Sequence, residues 1–250
     1  MGKFDKILLL TDIDGTMTDR EQALPQSNLE AIQYFKQNGG AFTIATGRLH
    51  DYFRESGFDK LINAPCVLLN GAGVYDFKTN SYLRLCSFDD NYKEAVEYAM
   101  SIGGYRFIHY LFQNGGIDSR DIDYIPDSPC KFVVVFDDEE CAVNMCNALQ
   151  QRYKDRYNIF RSWNTGVEVL PKGANKGIAL EYLKQMLANI TVTAAIGDYE
   201  NDIALLEHAD ISFATGNAVD VLKSKADYTV CDHSNGAVKE MIDILDKMYK

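Results

Sequence analysis

The chain is poor in the residues that build metal–sulfur centres and disulfide frameworks. Its six cysteines (Cys66, Cys86, Cys130, Cys141, Cys146 and Cys231) include no CxxC pair, so reduced thiols in a cytoplasmic protein are expected. Only four histidines occur, none at zinc-ligand spacing from a cysteine, which argues against a zinc enzyme. No apolar run approaches the roughly 20 residues of a membrane span. The first six residues run directly into a strand-like segment and lack the longer apolar region and cleavage site of a signal peptide. Cations are outnumbered: 25 Lys and Arg against 36 Asp and Glu leave a net charge of -11, which argues against nucleic acid or an anionic membrane as the main partner. An anionic substrate stays open, because a bound metal and a few local cations can reverse the field inside one cleft. No obligate protein partner is evident.

What is present is ordinary for a globular protein: 46% hydrophobic and 24% charged residues in 250, enough for a sizeable core and for an inserted second domain. Apolar strands are expected at 6–11, 41–45, 66–69, 191–196, 211–214 and 228–230. A helix follows the first strand, with Ser27-Asn28-Leu29-Glu30 read as a capping box and Leu29, Ile32 and Phe35 as its apolar face. Further helices are expected at 178–187, 200–208 and 237–248. Unalternated strands interleaved with helices predict a parallel sheet covered on both faces.

The middle follows another rule. Residues 105–112 alternate strictly, with Phe107, His109 and Leu111 on one face and Ile108, Tyr110 and Phe112 on the other. Strand-like runs at 131–136, 157–163 and 166–170 surround a helix face of Cys141, Met145 and Leu149. Strands neighbouring strands predict an antiparallel α+β module. The expected division is an α/β core of residues 1–82 and 171–250 and an insert of residues 83–170.

The first strand ends in Asp12-Ile13-Asp14-Gly15-Thr16. Residues two apart on an extended segment face one side, so the two carboxylates project together. Such a pair can hold a hard divalent cation or divide nucleophilic and acid/base roles; a polar turn is the plain alternative. Other strands end at Thr46-Gly47-Arg48, at Asn70 and at Gly197-Asp198-Tyr199-Glu200-Asn201-Asp202. All these endings fall on the carboxyl edge of the expected sheet, where open α/β sheets bind ligands. Lys176 sits where a helix begins, against the dipole, a placement that makes sense beside an anion; a solvated surface lysine is its plain alternative.

These segments resemble, in type and order, the four motifs of the haloacid dehalogenase-like (HAD) superfamily. Asn70-Gly71-Ala72, Lys176-Gly177, Gly216-Asn217-Ala218 and Ala226-Asp227-Tyr228 make the chain similar to the Cof-type subfamily IIB hydrolases. The resemblance implies a Rossmann-like core with a C2-type cap, and hydrolysis of a phosphomonoester through an aspartyl-phosphate. It implies Asp12 as nucleophile and Mg²⁺ ligand, and Asp14 as acid and then base, with its carbonyl on the metal. Asp198 would complete the metal site, with Asp202 on a metal-bound water. Thr46, Gly47, Lys176 and Asn201 would bind the phosphoryl group, with Arg48 nearby. Tyr199 departs from the small residue more usual there and is expected to reshape the wall beside the metal; Met17-Thr18 is a further departure.

Two rivals share parts of this pattern. A phosphosugar mutase would use the same covalent step, whereas a receiver-like signalling domain would need neither Asp14 as acid/base nor a large insert. A purely binding module would not require the full constellation. For the cap, His109, Arg120, Trp163 and Glu168 are candidates to face the cleft, with Tyr105, Tyr110 and Tyr124 able to stack on a sugar or to fill a core. The expected substrate is a small phosphorylated metabolite, with a sugar phosphate first by analogy.

Overall fold

The computed structural model of the chain describes residues 2–120 and 124–249. Residues 1, 121–123 and 250 of the expected core and insert lie outside the described residues. The first strand, β1 (Ile7–Thr11), is buried along its whole length. Each Leu or Ile removed from water there contributes about 1.5–3 kcal/mol. A turn over Ile13–Met17 follows, with Gly15 at φ 73°, and then α1 (Gln26–Gln37), β2 (Ala41–Ile44) and α2 (His50–Ser56). A hairpin-like group, β3 (Cys66–Leu68), β4 (Gly73–Asp76) and β5 (Ser81–Leu85), comes next.

The middle holds α3 (Lys93–Ile102), β6 (Phe107–Phe112), β7 (Gly115–Ser119), β8 (Lys131–Val135), α4 (Glu139–Tyr153), β9 (Tyr157–Trp163) and β10 (Gly166–Pro171). The chain closes with α5 (Lys176–Met186), β11 (Val192–Gly197), α6 (Ile203–His208), β12 (Ile211–Ala214), α7 (Asp220–Lys223), β13 (Tyr228–Thr229) and α8 (Ala237–Met248).

Strands β13-β12-β11-β1-β2 form one parallel sheet, and a single bridge from Ala45 to Val67 carries it on to β3. Ile7, Leu9 and Phe42 pack with α1 and α8 on one face, and Leu8, Leu10 and Ala195 with α5 and α6 on the other. The chain leaves β1 towards β2 and returns on the other side at β11, so the strand order reverses at β1. Open α/β sheets bind ligands at that crevice.

The second sheet is antiparallel, in the order β7-β6-β8-β10-β9. Its alternation has a direct reading. Ile108, Tyr110, Phe132, Val134, Val167 and Val169 pack with α3 and α4 residues in a second apolar cluster. His109, Leu111, Lys131, Val133 and Glu168, cross-strand neighbours in the registers of β6, β8 and β10, face the carboxyl edge of the parallel sheet and line a cavity there.

Several local expectations change. The capping box at Ser27 is not formed: the cap position falls two residues earlier, on Pro25, and α1 begins at Gln26 without a side-chain cap. Pro has no N–H to leave orphaned and presets the chain for the first turn. Asn28 is instead buried, donating to the Met17 carbonyl at 2.9 Å and accepting from the Lys239 N–H at 3.0 Å. The β4–β5 pair adds to the expected strands, and it places residues 81–85 in a sheet with β3.

Candidate active site

Asp12 follows β1 directly, and its backbone N–H donates to the Ile196 carbonyl of β11 at 3.1 Å. That bond sets it beside Asp198, which follows β11. Gly15 closes the turn at φ 73°, a conformation that costs a residue with a side chain about 1–2 kcal/mol. A Cβ at Gly15 would also land on the Asp198 carboxylate. Thr16 Oγ1 donates to Asp198 Oδ1 at 2.8 Å, and Asn217 Nδ2 ties the turn down by donating to the Gly15 carbonyl at 2.8 Å.

Lys176 opens α5, whose cap is Asn175, accepting from the Ile178 N–H. Its ammonium is fully buried, 2.9 Å from Asp12 and 2.6 Å from Asp202. The anion that justifies a lysine at this helix start is therefore a pair of the protein's own carboxylates. The other oxygen of Asp202 accepts from the backbone N–H groups of Asp198 and Tyr199, at 3.0 and 3.3 Å.

One cation cannot balance three close carboxylates. Burial pushes the Asp12 carboxyl up; Lys176 opposes this, while Asp202 and Asp14 add to it, and the result is about 7. Burial, then Asp12 and Asp202, hold Asp198 well above the usual carboxylate range. Lys176 is desolvated, yet the two carboxylates beside it raise it above its ordinary value. Oxygens of Asp12, Asp198 and Asp202 lie within 4.8 Å of one another. A hard-oxygen set with surplus negative charge fits a small divalent cation.

The remaining residues are distributed around this centre. Thr46 is buried, with its Oγ1 accepting from the Arg48 N–H at 3.3 Å. Arg48 faces Asp14, donating to both carboxylate oxygens at 2.8 and 2.6 Å. Asn70 sits in a strained turn in which Leu69, Asn70 and Gly71 all have positive φ, and its side chain reaches into the cavity. Asn201 Nδ2 donates to Asn70 Oδ1 at 3.2 Å, while Asn201 Oδ1 is buried without a protein partner.

The cavity, about 450 Å³, holds Asp12, Asp14, Thr46, Gly47, Arg48, Asn70 and Asn201 on one side and His109, Lys131, Trp163 and Glu168 on the other. A larger surface groove of about 550 Å³ between α1 and the end of α2 contains none of these residues. Lys176, Asp198 and Asp202 cluster with Asp12 but do not themselves line the cavity. Of the cap candidates, His109, Trp163 and Glu168 face the cavity; Arg120 borders a separate recess with Tyr105, Arg106 and Asp137. Tyr110 is buried in the cap core and Tyr124 is exposed. Tyr199 is not among the lining residues. Its hydroxyl donates to Asn164 Oδ1 between β9 and β10 at 2.9 Å, and Arg161 lies over its ring.

Sequence reasoning gives Lys131 no role beyond opening a strand, yet its ammonium is buried 2.7 Å from Glu168 and 3.1 Å from the Gly47 carbonyl. The signal available is a lysine at an inward position of an otherwise apolar strand.

A family model of haloacid dehalogenase-like hydrolases matches residues 9–117 and 104–242. The chain is 26% identical to the 5-amino-6-(5-phospho-D-ribitylamino)uracil phosphatase YcsE of Bacillus subtilis, with 88% of each chain covered. It is 27% identical to phosphoglycolate phosphatase 1 of Saccharolobus solfataricus, with 96% of each covered. The solved HAD subclass IIB sugar phosphatase BT4131 shares its fold, with a TM-score of 0.80, 20% identity and coverage of 96% of this chain and 98% of that one. The match spans both five-stranded sheets and all four motif-bearing segments: the chain belongs to the haloacid dehalogenase-like hydrolases, as a phosphoric monoester hydrolase of the Cof-type subfamily IIB.

Proposed function

We propose that the chain is a Mg²⁺-dependent phosphatase that hydrolyses a small phosphorylated metabolite, in the first place a sugar phosphate, through an aspartyl-phosphate on Asp12. The observation that carries this reading is the position of Asp12, between Lys176 at 2.9 Å and the cavity, with Asp14 two residues further on. The relatives named above act on phosphorylated metabolites of small size, which agrees with a cavity of about 450 Å³. The core of residues 1–82 and 171–250 and the cap of residues 83–170 are part of the proposal, supported by the separate antiparallel sheet and its own apolar cluster. A cytoplasmic location is supported by the six free cysteines.

Asp12, Asp198 and the Asp14 carbonyl would hold the cation, with Asp202 behind them. When bound, the cation supplies positive charge that lets an anionic carboxylate approach an anionic phosphate. A carboxylate oxygen of Asp12 attacks phosphorus in line with the leaving oxygen, and the bond from phosphorus to that oxygen breaks. Asp14 delivers a proton to the leaving oxygen as it departs. In this reading Lys176, Thr46 and Asn201 hold the phosphoryl oxygens while charge shifts. Asp14, now a carboxylate, takes a proton from water; the water oxygen bonds to phosphorus, and the bond to Asp12 breaks to release inorganic phosphate.

The test is a phosphate-release screen over sugar phosphates, polyol phosphates, nucleotides and pyridoxal phosphate, with and without Mg²⁺. Release is expected from at least one, and Asp12→Asn is expected to lower it by about 10³-fold or more, the scale on which loss of a covalent nucleophile acts. Near-normal turnover in that variant overturns the mechanism.

A further inference from the structure

Among the described residues, every cation bordering the cleft is matched by one of the protein's own carboxylates. Arg48 holds Asp14 and, behind Asp12, Lys176 lies between Asp12 and Asp202. A further buried pair belongs to the cap. Lys131 and Glu168 have side chains only 3% and 2% exposed and lie 2.7 Å apart. Ser162 Oγ donates to Glu168 Oε1 at 2.7 Å, and Asn70 Nδ2 to Glu168 Oε2 at 2.8 Å. We infer that this cluster is the subsite for the leaving group, that it accepts a neutral polyhydroxylated group, and that Glu168 excludes groups bearing a carboxylate.

The inference rests on the phosphatase reading and adds the chemistry of the substrate. An ammonium has three N–H donors; Lys131 spends two, on Glu168 Oε2 and on the Gly47 carbonyl at 3.1 Å. A carboxylate has about four acceptor directions. Glu168 spends three, on Lys131, Asn70 and Ser162. One donor on Lys131 and one acceptor direction on Glu168 Oε1 therefore remain within the pair, and a hydroxyl, being both donor and acceptor, can satisfy either.

A carboxylate on the substrate would meet the opposite conditions. It offers no proton to Glu168, and the charge of Lys131 is already balanced, so like charges would face each other at low dielectric. Leu111 and Val133 flank the pair on the same sheet face and offer surface to a carbon chain, without donors for a second anion. Trp163, 41% exposed at the rim, presents a ring to the C–H face of a sugar or polyol.

Matched substrates test this directly. Glycerol 3-phosphate and 3-phosphoglycerate differ by a hydroxymethyl group against a carboxylate, as do glucitol 6-phosphate and 6-phosphogluconate. With saturating Mg²⁺, the wild-type protein is expected to favour the neutral member of a pair in kcat/KM by about tenfold or more. Glu168→Gln frees the charge of Lys131 and is expected to compress or invert that ratio, whereas Lys131→Met is expected to widen it. Ratios are read within one protein preparation, so partial loss of folded enzyme cancels, and the wild-type ratio needs no variant. Equal or better turnover of the carboxylate members by the wild type overturns the inference, as does an unchanged ratio in folded Glu168→Gln. 4-Nitrophenyl phosphate separates the two levels. Its turnover without preference within either pair, or without turnover of the neutral members, overturns this inference alone; no release from any substrate overturns the phosphatase reading and this inference with it.

Discussion

A single guanidinium, that of Arg48, holds both oxygens of the Asp14 carboxylate, at 2.6 and 2.8 Å. The guanidinium itself lies 3.9 Å from the centroid of the Tyr52 ring in α2. The group proposed to move the proton is thus oriented by a planar, bidentate partner that is stacked in turn. Bidentate Arg–carboxylate pairs fix direction as well as distance. Substrate must share Asp14 with Arg48, which makes Arg48 a positioning residue in this reading.

Arg48→Ala should leave the fold nearly unchanged, because the pair is 31% and 46% exposed and such pairs contribute about 0–1 kcal/mol. Turnover should fall more than stability, by roughly 10- to 100-fold, a part of the 10²–10⁴ that a general acid supplies. Arg48→Lys should recover little, since an ammonium cannot hold both oxygens in one plane. Phosphate release read beside a melting curve checks this; equal losses in both would remove the positioning role.

Added Mg²⁺ should raise the melting temperature of the purified protein. A cation that binds only the folded state stabilises it by about 2.7 kcal/mol at a hundredfold excess over Kd. Asp198→Asn should remove that rise while leaving the metal-free protein at least as stable as the wild type, because one of three crowded carboxylates is neutralised. Scanning calorimetry with and without the ion distinguishes these outcomes. A full Mg²⁺ response in the variant would remove Asp198 from the metal site.

The cap pair makes a prediction for acid. Burial pushes the Glu168 carboxyl up, but the Lys131 charge, with hydrogen bonds from Lys131, Ser162 and Asn70, overcomes this and holds it below its ordinary value of 4.5. A depressed carboxyl adds stability that is fully present above the unfolded value and is lost as pH falls through the folded one. Urea midpoints should therefore fall below about pH 4.5 more steeply in the wild type than in Glu168→Gln. Lys131→Met should cost about 3–5 kcal/mol at neutral pH by leaving a buried charge unpaired, and Lys131→Met with Glu168→Leu should regain most of it.

Gly15→Ala tests the turn that carries the two aspartates. The residue is at φ 73°, and the added methyl would meet the Asp198 carboxylate. A loss of about 1–2 kcal/mol from the left-handed backbone alone is expected, with weaker Mg²⁺ binding as Asp198 is displaced. Unchanged Mg²⁺ titration by calorimetry would show that the site tolerates this displacement.

Much of this molecule is legible in its sequence. Four consecutive apolar residues, then Thr11 and Asp-x-Asp-Gly, mark a buried strand and its carboxylate-bearing exit. Strands β12 and β9 and helix α8 match their expected ranges residue for residue, because burial of one face imposes a period on the sequence. The alternation from Phe107 to Phe112 likewise assigns His109 and Leu111 to a common face.

Partnership is not legible, because hydrogen-bonding and ionic partners are chosen by register and by three-dimensional approach. Arg48 and Asp14 are 34 positions apart, Lys131 and Glu168 are 37, and Asn70 and Asn201 are 131. Nothing local says that Arg48 turns to Asp14 or that a strand lysine pairs with Glu168 beneath the cap sheet. Nor does it say that Tyr199 reaches Asn164 between β9 and β10. The amino-acid sequence by itself determined the elements and the chemical types at the strand ends, since periodicity and turn chemistry are local properties. Only the tertiary structure decided which charges neutralise one another, because that depends on where the second sheet sits over the first.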